Sequence, residues 1–506
     1  MSQVKKNLLF NSFSLLINIG IGIFYTPYLV RSLGIMAYGI IPLAMIINQY
    51  VTILTTSLTG SLTRFYAIEI EKKNFNVASK YLSTSLFVII LIVAITIPFF
   101  ILVIINIDEV FNIPIPLINS AKILFNYTFL SFYLSIFSSF FNITLYAQNR
   151  LDVLNIINIS RSFTKICFNV LFFEFITFDI KYIGISNFLA ECSLFIISYY
   201  FFKRLNYKEV NIKIKYFEKA SLLTLGLMTL WVLVHQIGDL TIYKINVFFI
   251  NKFWSSTESG IIGAITDFGS YIIIVVGVIT TLLGPLILQA FSKKNYEEVK
   301  ELAIKNSLII GVITSIATSL LICFAPQFLK LWLGHGFENY SLWFILKMID
   351  LPFFAAAGVF SFVYRSWNEV KIPAILTVMI GLLNTSINYV FCKLSNGDEK
   401  YITYILIFSA ICSFIQAYGL GIFMLKKIYN EIQISTLLYS IPFKFISVFI
   451  FVYLFSQITL YFFSINIWIE LISCFVGIGS ITLLFSYKFL IPKETKKYIS
   501  DYLIKK

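Results

Sequence analysis

Arg161 and Lys165 stand four residues apart in a long apolar run of this 506-residue chain. At that spacing both side chains fall on one face of a helix. Counted at 1.5 Å per residue from the basic end of the run, Lys165 lies roughly 16 Å deep, near the middle of a bilayer. Glu191, in the next apolar run, reaches a similar depth from the opposite end. A charge at that depth is costly and marks a functional site unless a partner neutralises it. Two readings are open. Glu191 pairs with Arg161 or Lys165 and staples two helices, or the cations line a cavity for an anionic substrate. Both hold if only one cation is paired. The chemistry open to such cations is anion capture through charge-assisted hydrogen bonds.

A second group follows further along. His235 and Asp239 are also four apart, with Lys244 just beyond them; Asp267 lies in the following run, and Lys347 and Asp350 in a later one. Asp239 and Asp267 fall in the outer half of their spans, where a carboxylate can accept a proton or a cation. The competing reading pairs them with Lys244 or Lys347. A histidine on an apolar helix is more often a packing residue than a proton carrier. His235 and His335 are the only histidines, and the six cysteines lie singly within apolar runs. No catalytic residue, cofactor or metal site is expected.

The elements that position these residues are set by composition. Mean hydropathy is +0.86 and charged residues make up 13%, against roughly 25% in a typical soluble domain. Apolar runs long enough to cross about 30 Å of hydrocarbon recur from end to end. Backbone groups in lipid must be satisfied internally, which leaves helices or a closed barrel. The runs lack the alternation of barrel strands. The fold class is therefore all-α and polytopic, with about fourteen spans by length. Pro27, Pro42, Pro98, Pro352 and Pro373 fall inside expected spans, where a missing backbone donor bends a helix. Gly284-Pro285 marks a helix break.

The net charge of +14 raises nucleic acid as a partner. Placing the N-terminus inside, Lys and Arg in alternate loops number 27 on the inner side and 7 on the outer. That is the positive-inside bias of a membrane protein, with both termini cytoplasmic. No basic soluble domain exists to hold nucleic acid, so the partner is the bilayer.

The chain also repeats itself. Tyr38-Gly39-Ile40-Ile41 and Lys72-Lys73-Asn74-Phe75 are echoed by Ser259-Gly260-Ile261-Ile262 and Lys293-Lys294-Asn295-Tyr296, both pairs about 221 residues apart. A weaker echo links Arg150-Leu151-Asp152-Val153 to Trp367-Asn368-Glu369-Val370. An offset of six spans gives two lobes in parallel repeat, the plan of an alternating-access transporter. The expected division is a six-helix lobe over 1–202, a basic linker over 203–219, a second six-helix lobe over 220–425, a two-helix hairpin over 426–490 and a tail over 491–506. No loop is long enough for a soluble catalytic domain.

Several stretches resemble the bacterial polysaccharide flippases. They are Thr26-Pro27-Tyr28-Leu29-Val30-Arg31-Ser32-Leu33-Gly34 with Ala37-Tyr38-Gly39, Trp231 to Asn251, Pro285 with Lys293 to Tyr296, and Pro373 to Asn384. Those proteins belong to the multidrug, oligosaccharidyl-lipid and polysaccharide exporter superfamily. The resemblance implies twelve core helices in two lobes, often with two extra helices at the end. It implies no enzyme, but flipping of an undecaprenyl-pyrophosphate-linked oligosaccharide across the bacterial plasma membrane. The product would be capsule, cell-wall polysaccharide or O-antigen, with polysaccharide polymerase machinery as a working partner. A pyrophosphate needs cations, and Arg31, Arg64, Arg161, Lys165 and Lys244 are the candidates. Glu191, His235, Asp239, Asp267 and Asp350 are the candidates for ion coupling or sugar contact. The chain departs from two relatives in this superfamily. Residues 8–30 carry no acid, unlike the first span of many multidrug extruders. Arg31 and Arg64 flank the first two spans, whereas peptidoglycan-precursor flippases carry arginines within them. The coupling ion stays open, and a multidrug or metabolite cation antiporter of the same fold is the alternative function.

Overall fold

A computed structural model describes residues 3–281, 283–431 and 433–496, and shows helices and no strand among them. Twelve helical segments are long and apolar enough to cross a membrane. Two further long helices, Ile40–Glu71 and Lys219–Tyr243, fall where the remaining two spans are expected. The protein is a multi-pass membrane protein of about fourteen helical spans. In chain order they are α1 (Gln3–Leu33), α2 (Ile40–Glu71), α3 (Phe75–Ile105), α4 (Ile118–Phe141), α5 (Leu151–Phe175), α6 (Lys181–Leu205) and α7 (Lys219–Tyr243). There follow α8 (Ser256–Thr281), α9 (Tyr296–Cys323), α10 (Leu351–Ser366), α11 (Lys371–Leu394), α12 (Lys400–Phe414), α13 (Ile434–Phe462) and α14 (Trp468–Phe485).

Two compact units divide the chain. One holds Met1–Leu240 with Val247–Gly263; the other holds Thr241–Asn246 with Ala264–Lys506.

The internal repeat has a backbone counterpart. Lys73, Asn149, Lys294 and Asn368 all take a positive φ between 54° and 60°. Each follows a helix end in the same way. The amide of Lys73 bonds to Ile70 O and that of Asn74 to Glu69 O; Lys294 and Asn295 repeat this on Phe291 O and Ala290 O. Asn149 with Arg150, and Asn368 with Glu369, make the same pair of bonds. This paired closure satisfies the orphan carbonyls of a helix end and reverses the chain in very few residues. It explains why the echoed segments are turn segments. The repeat is most readable where the backbone, rather than packing, constrains the residues.

The prolines need a correction. Pro27 and Pro98 do lie inside α1 and α3. Pro352 also falls inside a span, Phe337–Ser366, at the interruption between the short helix Ser341–Met348 and α10, whereas Pro42 and Pro373 occupy the first turn of α2 and α11. The first N–H groups of a helix have no partner there, so a missing donor costs nothing and bends nothing. The expected break at Gly284-Pro285 is present, with α8 ending at Thr281 and a short helix starting at Gly284.

Within the first unit, α5 is anchored at its start. Asp152 is only 1% exposed and receives Lys6 Nζ at 3.0 Å and Arg150 Nε at 3.2 Å. Gln3 Nε2 donates to it at 2.9 Å, and its own amide donates to Asn7 Oδ1 at 3.0 Å. This network fixes the N-terminal turns of α1 against the entry to α5. The basic linker is also held down. Amides of Asn211, Lys213 and Glu218 donate to the hydroxyls of Ser79, Ser83 and Thr84 on α3, at 3.0 to 3.2 Å. Lys80 pairs with Glu218 at 2.8 Å. A row of small hydroxyls on one helix thus satisfies linker amides on either side of its one short helical turn, Ile214–Tyr216.

Candidate functional site

The first unit contains a cavity of about 330 Å³ walled by α2, α4, α5 and α6, within the roughly 300–1,000 Å³ range of ligand sites. Arg161, Lys165 and Glu191 all line it, together with Asn48, Thr52 and Asn187. Arg161 Nη1 lies 3.1 Å from Glu191 Oε1. Lys165 Nζ stands 5.3 Å from the centroid of the Tyr25 ring. The wall carries two cations against one carboxylate. Arg161 and Glu191 pair across α5 and α6, as the stapling reading expects, and the cavity wall carries more cations than carboxylates.

The wall is also underused as a hydrogen-bonding surface. Asn48 Oδ1, Thr128 Oγ1, Asn187 Nδ2 and Glu191 Oε2 are buried and have no hydrogen-bond partner among the described residues. Buried polar atoms are normally satisfied, so a lining of this kind suits water or a polar ligand rather than lipid tails. Asn48 and Thr52 are the residues that sequence reasoning missed here. Their spacing of four on an apolar helix was the available signal, and it is the same signal that exposed Arg161 and Lys165.

The second unit contains a smaller cavity of about 60 Å³, lined by Lys244, Lys347, Asp350, Tyr243 and Ser413 among others. It has room for a few waters at most. Asp350 is buried and accepts from the Ser413 hydroxyl. Ser413 Oγ is 2.9 Å from Tyr243 Oη, which lies 3.3 Å from Gln416 Oε1. Gln416 sits in a single π turn (Ile415–Gly419) that continues α12. Such turns re-aim side chains and occur often at functional sites. Lys244 Nζ is 3.4 Å from Asp267 Oδ1 and from Ser270 Oγ.

Beside this cavity lies a buried amide cluster absent from the sequence reading. Asn388 Nδ2 donates to Asn246 Oδ1, Asn384 Oδ1 and Ser409 Oγ, each at 3.0 Å. Ser409 Oγ donates to Asn384 Oδ1 at 2.9 Å, and Asn246 Nδ2 to Ser409 Oγ at 2.9 Å. Asn384 Nδ2 reaches the Thr241 carbonyl at 3.3 Å. Asn384 and Asn388, four apart in an apolar run, were again the readable signal.

The remaining candidates are placed elsewhere. Arg31 lies in the last turn of α1 and is exposed; Arg64 on α2 is exposed as well. Neither lines either cavity. His235 Nδ1 and Asp239 Oδ2 are 3.2 Å apart on α7 and line neither cavity. The structure thus brings together Arg161, Lys165 and Glu191 in one group, and Lys244, Asp267 and Asp350 in another.

About fourteen helical spans, with a cationic polar cavity inside the first unit, define a transporter-like membrane protein. A family model described as "Polysaccharide biosynthesis protein" matches residues 4–291, and the chain belongs to that family. The uncharacterized membrane protein EpsK of Bacillus subtilis (strain 168) is 23% identical over 387 residues, which are 74% of each chain. Among solved structures, the Lipid II flippase MurJ in an inward closed conformation gives a TM-score of 0.67 at 18% identity, covering 96% of this chain and 99% of that one. An inward-facing multidrug resistance MATE family transporter of the MOP superfamily gives 0.66 at 15% identity, covering 84% and 95%. At these identities the structural likeness is one of fold: the chain has the fold of the MOP superfamily.

Proposed function

We propose that this protein flips an undecaprenyl-pyrophosphate-linked oligosaccharide from the inner to the outer leaflet of the bacterial plasma membrane, for surface polysaccharide synthesis. Its termini are then cytoplasmic, as the inner excess of Lys and Arg favours. The supporting observation is the polar cavity at membrane depth, with Arg161 and Lys165 on its wall and four buried polar atoms lacking a hydrogen-bond partner among the described residues. A pyrophosphate brings the charge that such cations attract and the acceptor oxygens that they and the Asn187 amide can meet. Family membership and the fold shared with a lipid flippase point the same way. Contact with the sugar would fall to one of the carboxylates Asp239 and Asp267. Coupling to a proton or sodium gradient would fall to the second group, where Asp350 is the buried carboxylate.

The test is deletion of the gene, followed by mass spectrometry of lipid extracts. The expected result is accumulation of an undecaprenyl-pyrophosphate oligosaccharide with loss of surface polysaccharide. Complementation with wild type restores export, and complementation with Arg161→Ala/Lys165→Ala at equal expression does not. Normal polysaccharide and no lipid-linked build-up, in a strain without a second flippase, would favour the cation antiporter.

A further inference from the structure

A third cavity lies outside both of these groups, at the start of α13. It measures about 250 Å³ and is walled by α9, α13 and the segment after α14. Lys300, Lys305 and Lys444 ring it, and Leu308, Leu437 and Ile441 form its apolar floor. Two of the cations have protein partners: Lys300 Nζ is 2.7 Å from Glu297, and Lys305 Nζ is 2.6 Å from Glu301. Lys444 has no ion pair among the described residues. The other carboxylate on the wall is Glu494, which is exposed.

The position of Lys444 matters as much as its charge. It lies ten residues into α13 (Ile434–Phe462), about 15 Å from the helix start. The pocket it lines opens among charged residues near the start of α9, Lys300, Glu301 and Lys305, and beside Glu494 after α14. The height of Lys444 is fixed by the next residue. Phe445 fills the notch left by Gly311 on α9, where a Cβ would come within 2.1 Å of the ring. The Tyr418 hydroxyl further ties the α13 backbone at Leu437 O, at 2.9 Å. A lysine at a span end commonly snorkels to open water. Here the ammonium lines a half-open pocket bounded on one side by Pro492 and Thr495.

We infer that this pocket binds the phosphate of an anionic membrane lipid, with Lys444 as the principal contact and Lys300 and Lys305 as the rim. The apolar floor accepts the first carbons of the acyl chains. Basic pockets between spans on the inner face are the usual place for such headgroups, where each cation contributes about 1 kcal/mol. The bound lipid joins the terminal hairpin to α9, and the site is independent of the glycan proposed above.

Native mass spectrometry of the purified full chain in detergent tests this, with phosphatidylglycerol, phosphatidylcholine and inorganic phosphate as probes. Phosphatidylglycerol should be retained several-fold more than phosphatidylcholine. Lys444→Gln should weaken that retention about fivefold, and Lys444→Arg should keep it. Lys305→Gln serves as a second variant if Lys444→Gln is not recovered folded, and should weaken retention as well. Equal retention of the two lipids by the wild type would overturn the proposal. So would unchanged phosphatidylglycerol binding in the folded variant. Displacement of the lipid by equimolar inorganic phosphate would assign the pocket to a soluble anion instead.

Discussion

Gly39 and Gly260, equivalent positions of the internal repeat, pack backbone against backbone. A Cβ on Gly39 would lie 1.9 Å from Ser256 O and 3.0 Å from Gly260 N; one on Gly260 would lie 2.6 Å from Ile35 O and 3.0 Å from Gly39 Cα. Both residues belong to the first compact unit. The contact is supported nearby by reciprocal amide bonds. Asn112 N donates to Asn251 Oδ1 at 3.0 Å, and Asn251 Nδ2 donates to Asn112 O at 3.2 Å. Ser256 Oγ donates to the same carbonyl at 2.7 Å. The repeated glycine is therefore a steric requirement at both of its copies.

Gly39→Val and Gly260→Val should each destabilise the protein by about 1–3 kcal/mol, the usual cost of overpacking. Thermal unfolding in detergent measures this. A Tm unchanged in both variants would show that the two backbones do not approach as described.

Arg161→Ala removes the partner of Glu191, whose side chain is 13% exposed. Arg161→Ala/Glu191→Ala removes the stranded carboxylate as well and should be about 1 kcal/mol more stable than the single variant. Export should be lost in both, because the cavity has lost a cation. Recovery of export together with stability would mean that Arg161 serves only as a staple.

Asn388→Leu should cost about 2–4 kcal/mol, since it strands Asn246, Asn384 and Ser409 in a dry interior. Unfolding of the variant in guanidinium-free detergent, followed by circular dichroism, reads the loss. A cost below about 1 kcal/mol would show that water already enters this cluster.

Asp152→Ala should cost about 1–2 kcal/mol, by removing the carboxylate that gathers Lys6, Arg150 and Gln3, since the two cations left behind are 40–44% exposed and stay solvated. The loss should appear first as faster amide exchange in the first turns of α1 and α5. Uniform loosening of the whole chain would instead place the damage elsewhere.

The linker strap should respond to acid. The Lys80 ammonium and the Ser221 hydroxyl hold the Glu218 carboxyl below its ordinary value. A carboxyl lowered on folding stabilises the fold above its ordinary range and loses that contribution as pH falls through its lowered value. Amide exchange over 211–218, corrected for its intrinsic pH dependence, should accelerate below about pH 4. Glu218→Gln should remove this pH dependence without freeing the hydroxyl contacts of Ser79 and Ser83.

Much of the architecture was legible because lipid leaves the backbone few options. Apolar run length alone located the helices, and the charge of Arg161, Lys165 and Glu191 at depth located the first cavity. The neutral part of the site was harder. Asn48, Thr128 and Asn187 are common residues whose importance depends on facing one cavity, and facing is a property of helix rotation. The amide cluster of Asn246, Asn384, Asn388 and Ser409 was hidden for the same reason, since its members come from three separate segments. Prolines misled because a first-turn position and an interior position look alike until the helix end is known. Lys444 escaped because a single lysine near a span end is ordinary until the pocket around it is seen.

The path of the chain between the two compact units carries a consequence for its ancestry. It passes from one to the other at Leu240, returns at Val247, and leaves again after Gly263. A simple fusion of two finished halves would cross once. If the repeat arose by duplication, the boundary between the compact units no longer falls between the copies. Cutting the gene within the 203–219 linker should therefore give two fragments that fold poorly apart and recover only when made together.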